Sequence, residues 1–359
     1  MITRRGLGAA IGAATVARSF PVRAAARSMR MGNAAGTVDA QVAFVTIGMH
    51  PKLGYYAAEN VALEVINMSG SSQSMQALAT GAVEFATINP LTFLPVVANN
   101  PRLGVTCAYE WCRSAYWEVA VKPDSPVKAV ADLRGKTIGI RNNGDTGYFG
   151  ARAMLTELGM DPDRDVSWIS VGNGGPAGDA LYRGRIDALA IWDAELARVE
   201  LSGFKLRYLP NTPISDRVFG GSWGVSAAGL KADRAPYLGL FRGMAKSTIF
   251  LVNNLDLGIR MHWDLYPESK PKGISDEQAM QNTLYLLSRR APKWFARPGA
   301  KDQRLGASSA EEWALMTQYT GTTAKIPDPG ALWTDDLIAD VNNFDRDAIA
   351  AQAKAMTSI

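Results

Sequence analysis

The chain has 359 residues, 47% of them hydrophobic and 20% charged, with a formal net charge of +4. That profile excludes a disordered or membrane-spanning polypeptide and suits two domains of roughly 100–200 residues each. Several arginines fall within the first 30 residues, so the remainder is close to neutral and its charge gives no sign of nucleic-acid binding.

Residues 1–26 have the layout of an export signal: Arg4-Arg5, an uncharged Gly/Ala-rich stretch from Gly6 to Ala17, and small residues at Val22-Arg23-Ala24 and Ala24-Ala25-Ala26. The paired arginines and weakly apolar core suit either the twin-arginine route or general secretion, and the destination is the periplasm. The other reading is a basic tail. Next, VAFVTIG (42–48) reads as an apolar strand, HPKLGYYAAEN opens a helix, and VALEVINM alternates as a second strand. The cluster GSSQS then begins a helix with Met75, Leu78, Ala79 and Ala82 on one face, and AVEFATI forms a third strand. No acid occurs between Gly70 and Glu84, although helix starts favour negative charge.

A repeat links this region to the next. Ala77-Leu78-x-x-Gly81-x-Val83-Glu84 recurs as Ala180-Leu181-x-x-Gly184-x-Ile186-Asp187, 103 residues later. Around the second copy, TIGIR, DVSWISV and IDALAIW read as strands, with helices from Thr146 and Pro176 between them. Alternating strands and helices imply a parallel sheet in each copy, with ligand sites at the carboxyl ends of the strands. Cys107 and Cys112 either close a small disulfide loop or are two buried thiols. Segments 117–125 and 220–227 carry the chain out of the first lobe and back. The tail shows helical spacing over Leu238–Asn253, Asp276–Arg289, Ala310–Tyr319 and Thr334–Ala355; it is expected to wrap lobe one, with the last helix reaching lobe two.

DLRGKTIGI (Asp132–Ile140), the ALxxGxxD units and IWDAELA together resemble the periplasmic solute-binding proteins of ABC importers, in the sulfonate/nitrate/taurine and thiamine-pyrimidine branch. The resemblance covers Val42 to Ala227 well and the tail loosely. It implies an α/β type II clamshell of two lobes, each a parallel or mixed sheet flanked by helices, joined by two hinge crossings. Lobe one is 37–122 plus 225–359 and lobe two is 123–224. A monomer of this kind closes on one small molecule and passes it to a membrane permease, with no cofactor and no metal.

Strand-to-helix turns supply the candidate ligand contacts. They are His50 after the first strand; Ser71, Ser72 and Gln73, which either cap their helix or leave its amides for an oxyanion; and Asn143, Asp145 and Thr146. Asp145 either caps its helix or accepts from an amine on the ligand. Trp192 and Asp193 stand in register with Asn89-Pro90, and Asn173 precedes the second repeat helix. Trp192 offers a stacking surface or packs beneath the hinge. Between the lobes Trp111 and Arg113 are expected to face the cleft, Arg113 as the first choice for an anionic group and Arg141 as the second. Trp117 and Trp223 add aromatic surface, which favours an aromatic or heterocyclic ligand over nitrate. The rival readings are a thiamine-pyrimidine-synthase-like enzyme on the same fold and a ligand-binding partner of a membrane sensor. Two cysteines, two separated histidines (His50 and His262) and the lack of a G-x-S-x-G, HExxH or Walker motif argue against catalysis.

Overall fold

The computed structural model describes residues 26–296 and 300–359, so the export-signal reading lies outside the described residues up to Ala25. Among them, ten strands form two five-stranded sheets. The first runs β2 (Val61–Asn67), β1 (Arg27–Asn33), β3 (Phe85–Ile88), β10 (Gly221–Ser226), β4 (Val105–Cys112). The second runs β7 (Ser167–Ser170), β6 (Thr137–Ile140), β8 (Ala188–Trp192), β5 (Trp117–Val121), β9 (Arg207–Tyr208). β1 pairs parallel with β2 and β3, while β10 runs antiparallel between β3 and β4. β6 likewise pairs parallel with β7 and β8, and β5 lies antiparallel between β8 and β9. Each lobe is thus a mixed sheet flanked by helices, as expected of the clamshell.

The longer helices are α1 (Ser71–Ala79), α2 (Pro90–Asn99), α3 (Thr146–Glu157), α4 (Gly174–Tyr182), α5 (Asp193–Leu201), α6 (Ala235–Asn253), α7 (Leu255–Leu265), α8 (Asp276–Arg290), α9 (Ala310–Tyr319) and α10 (Arg346–Ala355). The shift of 103 carries the start of α1 onto that of α4, β3 onto β8 and α2 onto α5. The repeated acid has one job in both copies. Glu84 accepts the Arg30 amide at 2.7 Å and Asp187 accepts the Thr137 amide at 2.8 Å, each tying the central parallel strand of its sheet to the end of the repeat.

Five expectations change. The stretch 42–48 is not a strand; Ala40–Met49 forms short helical turns, and a short, fully buried apolar run cannot be assigned by periodicity. The first strand is β1, where Met29 and Met31 alternate into the core and Arg30 is held by Glu84, so lobe one begins at Arg27 rather than 37. Trp117 pairs with Trp192 in the second sheet, which moves the first crossing to residues 113–116 and the second to 209–220. In the tail the predicted helix from Thr334 to Ala355 breaks at Asn342, whose side chain binds Leu305, and α10 restarts behind an Asp345 cap. The element that reaches lobe two is α8, packed on α5, rather than the last helix, which packs on α6. Among the described residues no helix is long and apolar enough to cross a membrane.

Candidate functional site

A cavity of about 70 Å³ lies between the sheets, lined from both lobes. It opens at strand ends: Asn33 closes β1, Trp192 closes β8, and Arg141 directly follows β6. Phe44, Trp111 and Trp223 form one aromatic wall, with Phe44 stacked on Trp111 at 5.6 Å and Trp111 tilted against Trp223 at 6.4 Å. The indole nitrogens of Trp111 and Trp223 are buried without a hydrogen-bond partner. Opposite them Trp192 donates its indole N–H to Gln41 Oε1 across the cleft at 3.1 Å, and the Arg141 guanidinium lies 5.2 Å from its ring centre.

The start of α1 forms part of this wall. Gly70 takes the N-cap position at φ 128°, a backbone that side chains rarely adopt, and it offers no side-chain cap. A Cβ placed there would lie 3.6 Å from the Gly144 carbonyl in the other lobe, so the two turns meet across the cleft. Ser71 lines the cavity and accepts the Asn89 amide at 3.2 Å. Ser72 and Gln73 point away, with Gln73 Oε1 accepting the Ser69 amide at 2.6 Å. Across the cleft, α3 begins differently: Asp145 caps it by accepting the Gly147 amide at 2.6 Å, and Asp145 and Thr146 both line the cavity. Burial pushes the Asp145 carboxyl up to about 7; the Gly147 amide and Arg141 oppose the rise and Glu195 adds to it.

The structure therefore brings together Ser71, Trp111, Arg141, Asp145, Thr146 and Trp192 of the predicted residues, and leaves the others elsewhere. Arg113 is buried outside the cavity, where Glu110, Glu312 and the Arg304 carbonyl share it, so the strand run turns it away from the cleft. His50 follows a helical turn instead of a strand end and sits 3.3 Å from the Asp264 carboxylate. Asn89 caps α2 and donates to the Tyr116 hydroxyl and the Gly220 carbonyl, bracing both crossings. Asn143 is exposed, and Asn173 stands beside the Glu195 carboxylate rather than in the cavity wall. Asp193 is fully buried and binds Arg290 and Lys293; burial opposes its charge, but those two cations hold its carboxyl below the ordinary range. Trp117, also expected near the crossing, packs on Tyr319 in the core.

A model of the NMT1/THI5-like family matches residues 41–216. No curated protein matches the chain in sequence. Among solved structures, the periplasmic aliphatic sulphonate binding protein SsuA from Escherichia coli superposes with a TM-score of 0.62 at 16% identity, covering 84% of this chain and 92% of that one. The alkanesulfonate-binding protein SsuA from Xanthomonas axonopodis pv. citri, bound to MOPS, gives 0.60 at 18%, covering 88% and 97%. The desulfurization enzyme DszB gives 0.52 at 15%, covering 88% and 99%. At these identities the likeness is one of fold, that of the periplasmic binding proteins.

The NMT1/THI5-like segment contributes Gln41, Phe44, Ser71, Trp111, Tyr116, Arg141, Asp145 and Trp192 to the cavity, but Asn33, Trp223 and Arg290 come from outside it. Sequence reading missed Arg290. It lies in the loosely matched tail, 290 residues along the chain, and nothing local marks it as facing the cleft. Its guanidinium sits 4.5 Å from the Tyr116 ring centre and 5.6 Å from that of Trp111, and binds Asp193 through Nε and Nη2. Burial works against that charge, yet Asp193 outweighs it and keeps the pKa above its ordinary value. Arg141, in contrast, forms no ion pair among the described residues. Asn33 ends a strand hidden next to the export signal, and only Phe44's neighbours in space, not in sequence, identify it as cavity wall.

Proposed function

We propose that the protein is the extracytoplasmic solute-binding component of an ABC importer. It captures one small organic molecule between its lobes and hands it, as an exported monomer, to a permease in the inner membrane. The observation that carries this reading is the cavity itself: walls from both sheets, aromatic faces, and in Arg141 a cation without an acid bound to it. A ligand touching both walls favours the closed arrangement, which is the hinge mechanism of a clamshell. The structural neighbours whose names mention aliphatic sulphonate and alkanesulfonate support a small organic ligand; carboxylates, sulfonates and pyrimidines are all within its scope.

Catalysis is the competing reading, because DszB has the same fold. The residues weigh against it. Both cysteines are buried away from the cavity lining, with burial raising the Cys112 thiol to about 12 and the Cys107 thiol further. His262 is bound to the Thr46 hydroxyl at 2.7 Å and pushed down to about 4 by burial. Thermal-shift screening against sulfonates, aromatic carboxylates, nitrate and pyrimidines tests the proposal. A ligand at a hundredfold excess over its Kd adds about 2.7 kcal/mol of stability; a flat response to the whole panel would overturn the binding reading.

A further inference from the structure

Charge in the cavity is unevenly committed. Of the two guanidinium groups in its wall, Arg290 is spent on Asp193, whereas Arg141 faces the cavity from its stacking position on Trp192. The one carboxyl in the wall is Asp145, almost fully buried, and it forms no ion pair with Arg141. Behind it stands Glu195 of α5, whose partner Arg198 also holds Asp39 of lobe one. Arg198 thus holds Glu195 and Asp39, and Arg290 and Lys293 hold Asp193, so among the described residues Asp145 is the carboxyl of this cluster without an ion pair. The lobe-one side of the cavity presents Asn33, Gln41, Ser69, Ser71 and Thr87 beside Arg290, whose charge is taken up by Asp193, and the Tyr116 hydroxyl stays protonated because burial raises it to about 12. With Asp145 ionised, an anionic ligand on Arg141 would set a second negative charge beside a buried carboxylate that has no ion pair of its own.

The space sets the ligand's size. About 70 Å³ between aromatic walls limits the ligand to a small molecule, and one ring with one acid group is the smallest that uses both the aromatic faces and Arg141. The indoles of Trp111 and Trp223 supply flat apolar faces.

We propose that the cavity binds a single-ring planar organic anion with its acid group on Arg141, and that Asp145 is the specificity-determining residue because it carries a proton in the complex. This rests on the solute-binding reading. The protonated carboxyl removes that repulsion and donates its O–H to the ligand's acid group. Above neutral pH, binding takes up one proton from solvent. The Asp145 carboxyl's tendency to hold its proton up to about 7 is consistent with this placement.

The test is benzoate binding followed by tryptophan fluorescence at pH 6.0, 7.0 and 8.5, on the wild type, Asp145→Asn and Arg141→Gln. Asparagine keeps a capping oxygen for Gly147 and a donor for the ligand, so this variant retains its helix start. The wild type is expected to bind on the order of 30-fold more weakly at pH 8.5 than at pH 6.0, as one linked proton with a pKa near 7 requires. Asp145→Asn is expected to bind equally at all three values, and Arg141→Gln weakly throughout. Benzoate binding with no pH dependence in the wild type, or an undiminished slope in Asp145→Asn, would overturn the proton linkage while leaving solute binding intact. No benzoate binding to wild type or Asp145→Asn at pH 6.0 would overturn the ring-anion class, and the wider thermal-shift panel then decides separately whether a solute is bound at all.

Discussion

Arg113 and Arg141 are both arginines near the junction of the lobes, and they have opposite fates. Arg113 is 3% exposed and enclosed by Glu110, Glu312 and a main-chain carbonyl. Arg141 lies on Trp192 in the cavity wall with no acid bound to it. Buried position alone therefore does not make an arginine a ligand contact; what matters is whether the protein has already neutralised it. A cation with its partners in place has no interaction left to give, while one resting on an aromatic face is held in position and still available.

The largest effect expected from this contrast is on Arg113. Arg113→Gln removes one side of a buried charge cluster and should cost about 3–5 kcal/mol of stability in urea unfolding. Ligand affinity measured on the folded fraction should hardly move. Arg141→Gln should do the reverse, with affinity for an anionic ligand falling by about 1.5–3 kcal/mol, the worth of a hydrogen bond to a charged group, and the melting temperature nearly unchanged. If Arg113→Gln abolished binding in a protein that unfolds normally, the division of labour drawn between the two would be wrong.

The two facing turns give a second contrast of smaller size. Gly70 has φ 128°, whereas Gly144 opposite it has no left-handed backbone and only its neighbour Asn142 close by. Gly70→Ala should cost about 1–3 kcal/mol through backbone strain, and Gly144→Ala less than about 0.5 kcal/mol. Equal losses in thermal melts would mean that contact across the cleft, and not conformation, decides both.

Much of this architecture was legible because it rests on local chemistry. The 103-residue repeat follows from the same packing requirement met twice, and α9 spans the Ala310–Tyr319 that helical spacing indicates. The failures have one cause, the absence of long-range information. VAFVTIG is apolar but for Thr46 because it is buried in helical turns beneath α6, and such a run carries no period. β1 contains two arginines and no long apolar run, and its partner strands β2 and β3 lie 34 and 54 residues along the chain. Of the cavity, the turns after strands could be found, since fold geometry places them there. Arg290 could not, because its reason for being buried is Asp193, 97 residues earlier.

Asp145 gives a pH-dependent difference between the lobes. Its folded pKa is raised from 3.8 to about 7 by burial, so ionising it costs the folded state more than the unfolded chain. The penalty is absent below about pH 4, grows as pH rises towards 7, and stays constant beyond. Asp145→Asn has no such carboxyl, so its stability relative to the wild type should improve between pH 4 and 7 and then level off in urea titrations. The start of α1 has no acid to titrate, so Ser71→Ala should show a stability difference from wild type that is independent of pH over that range.

The smallest effect is expected at the cysteines. Cys107 and Cys112 lie five residues apart on β4, an odd separation that sends their side chains to opposite faces of the sheet. They pack accordingly in two different apolar clusters, and Cys112 donates its thiol to the Ser114 carbonyl. A bond between them would require the strand to turn over, breaking its pairing with β10, so the disulfide allowed by the spacing does not form. Reductant should leave the melting temperature unchanged even after periplasmic expression, and a thiol reagent should label both residues only in the unfolded chain. A melting temperature that fell on reduction would show instead that β4 pairs differently, and with it the wall of the cavity that Trp111 supplies from the same strand.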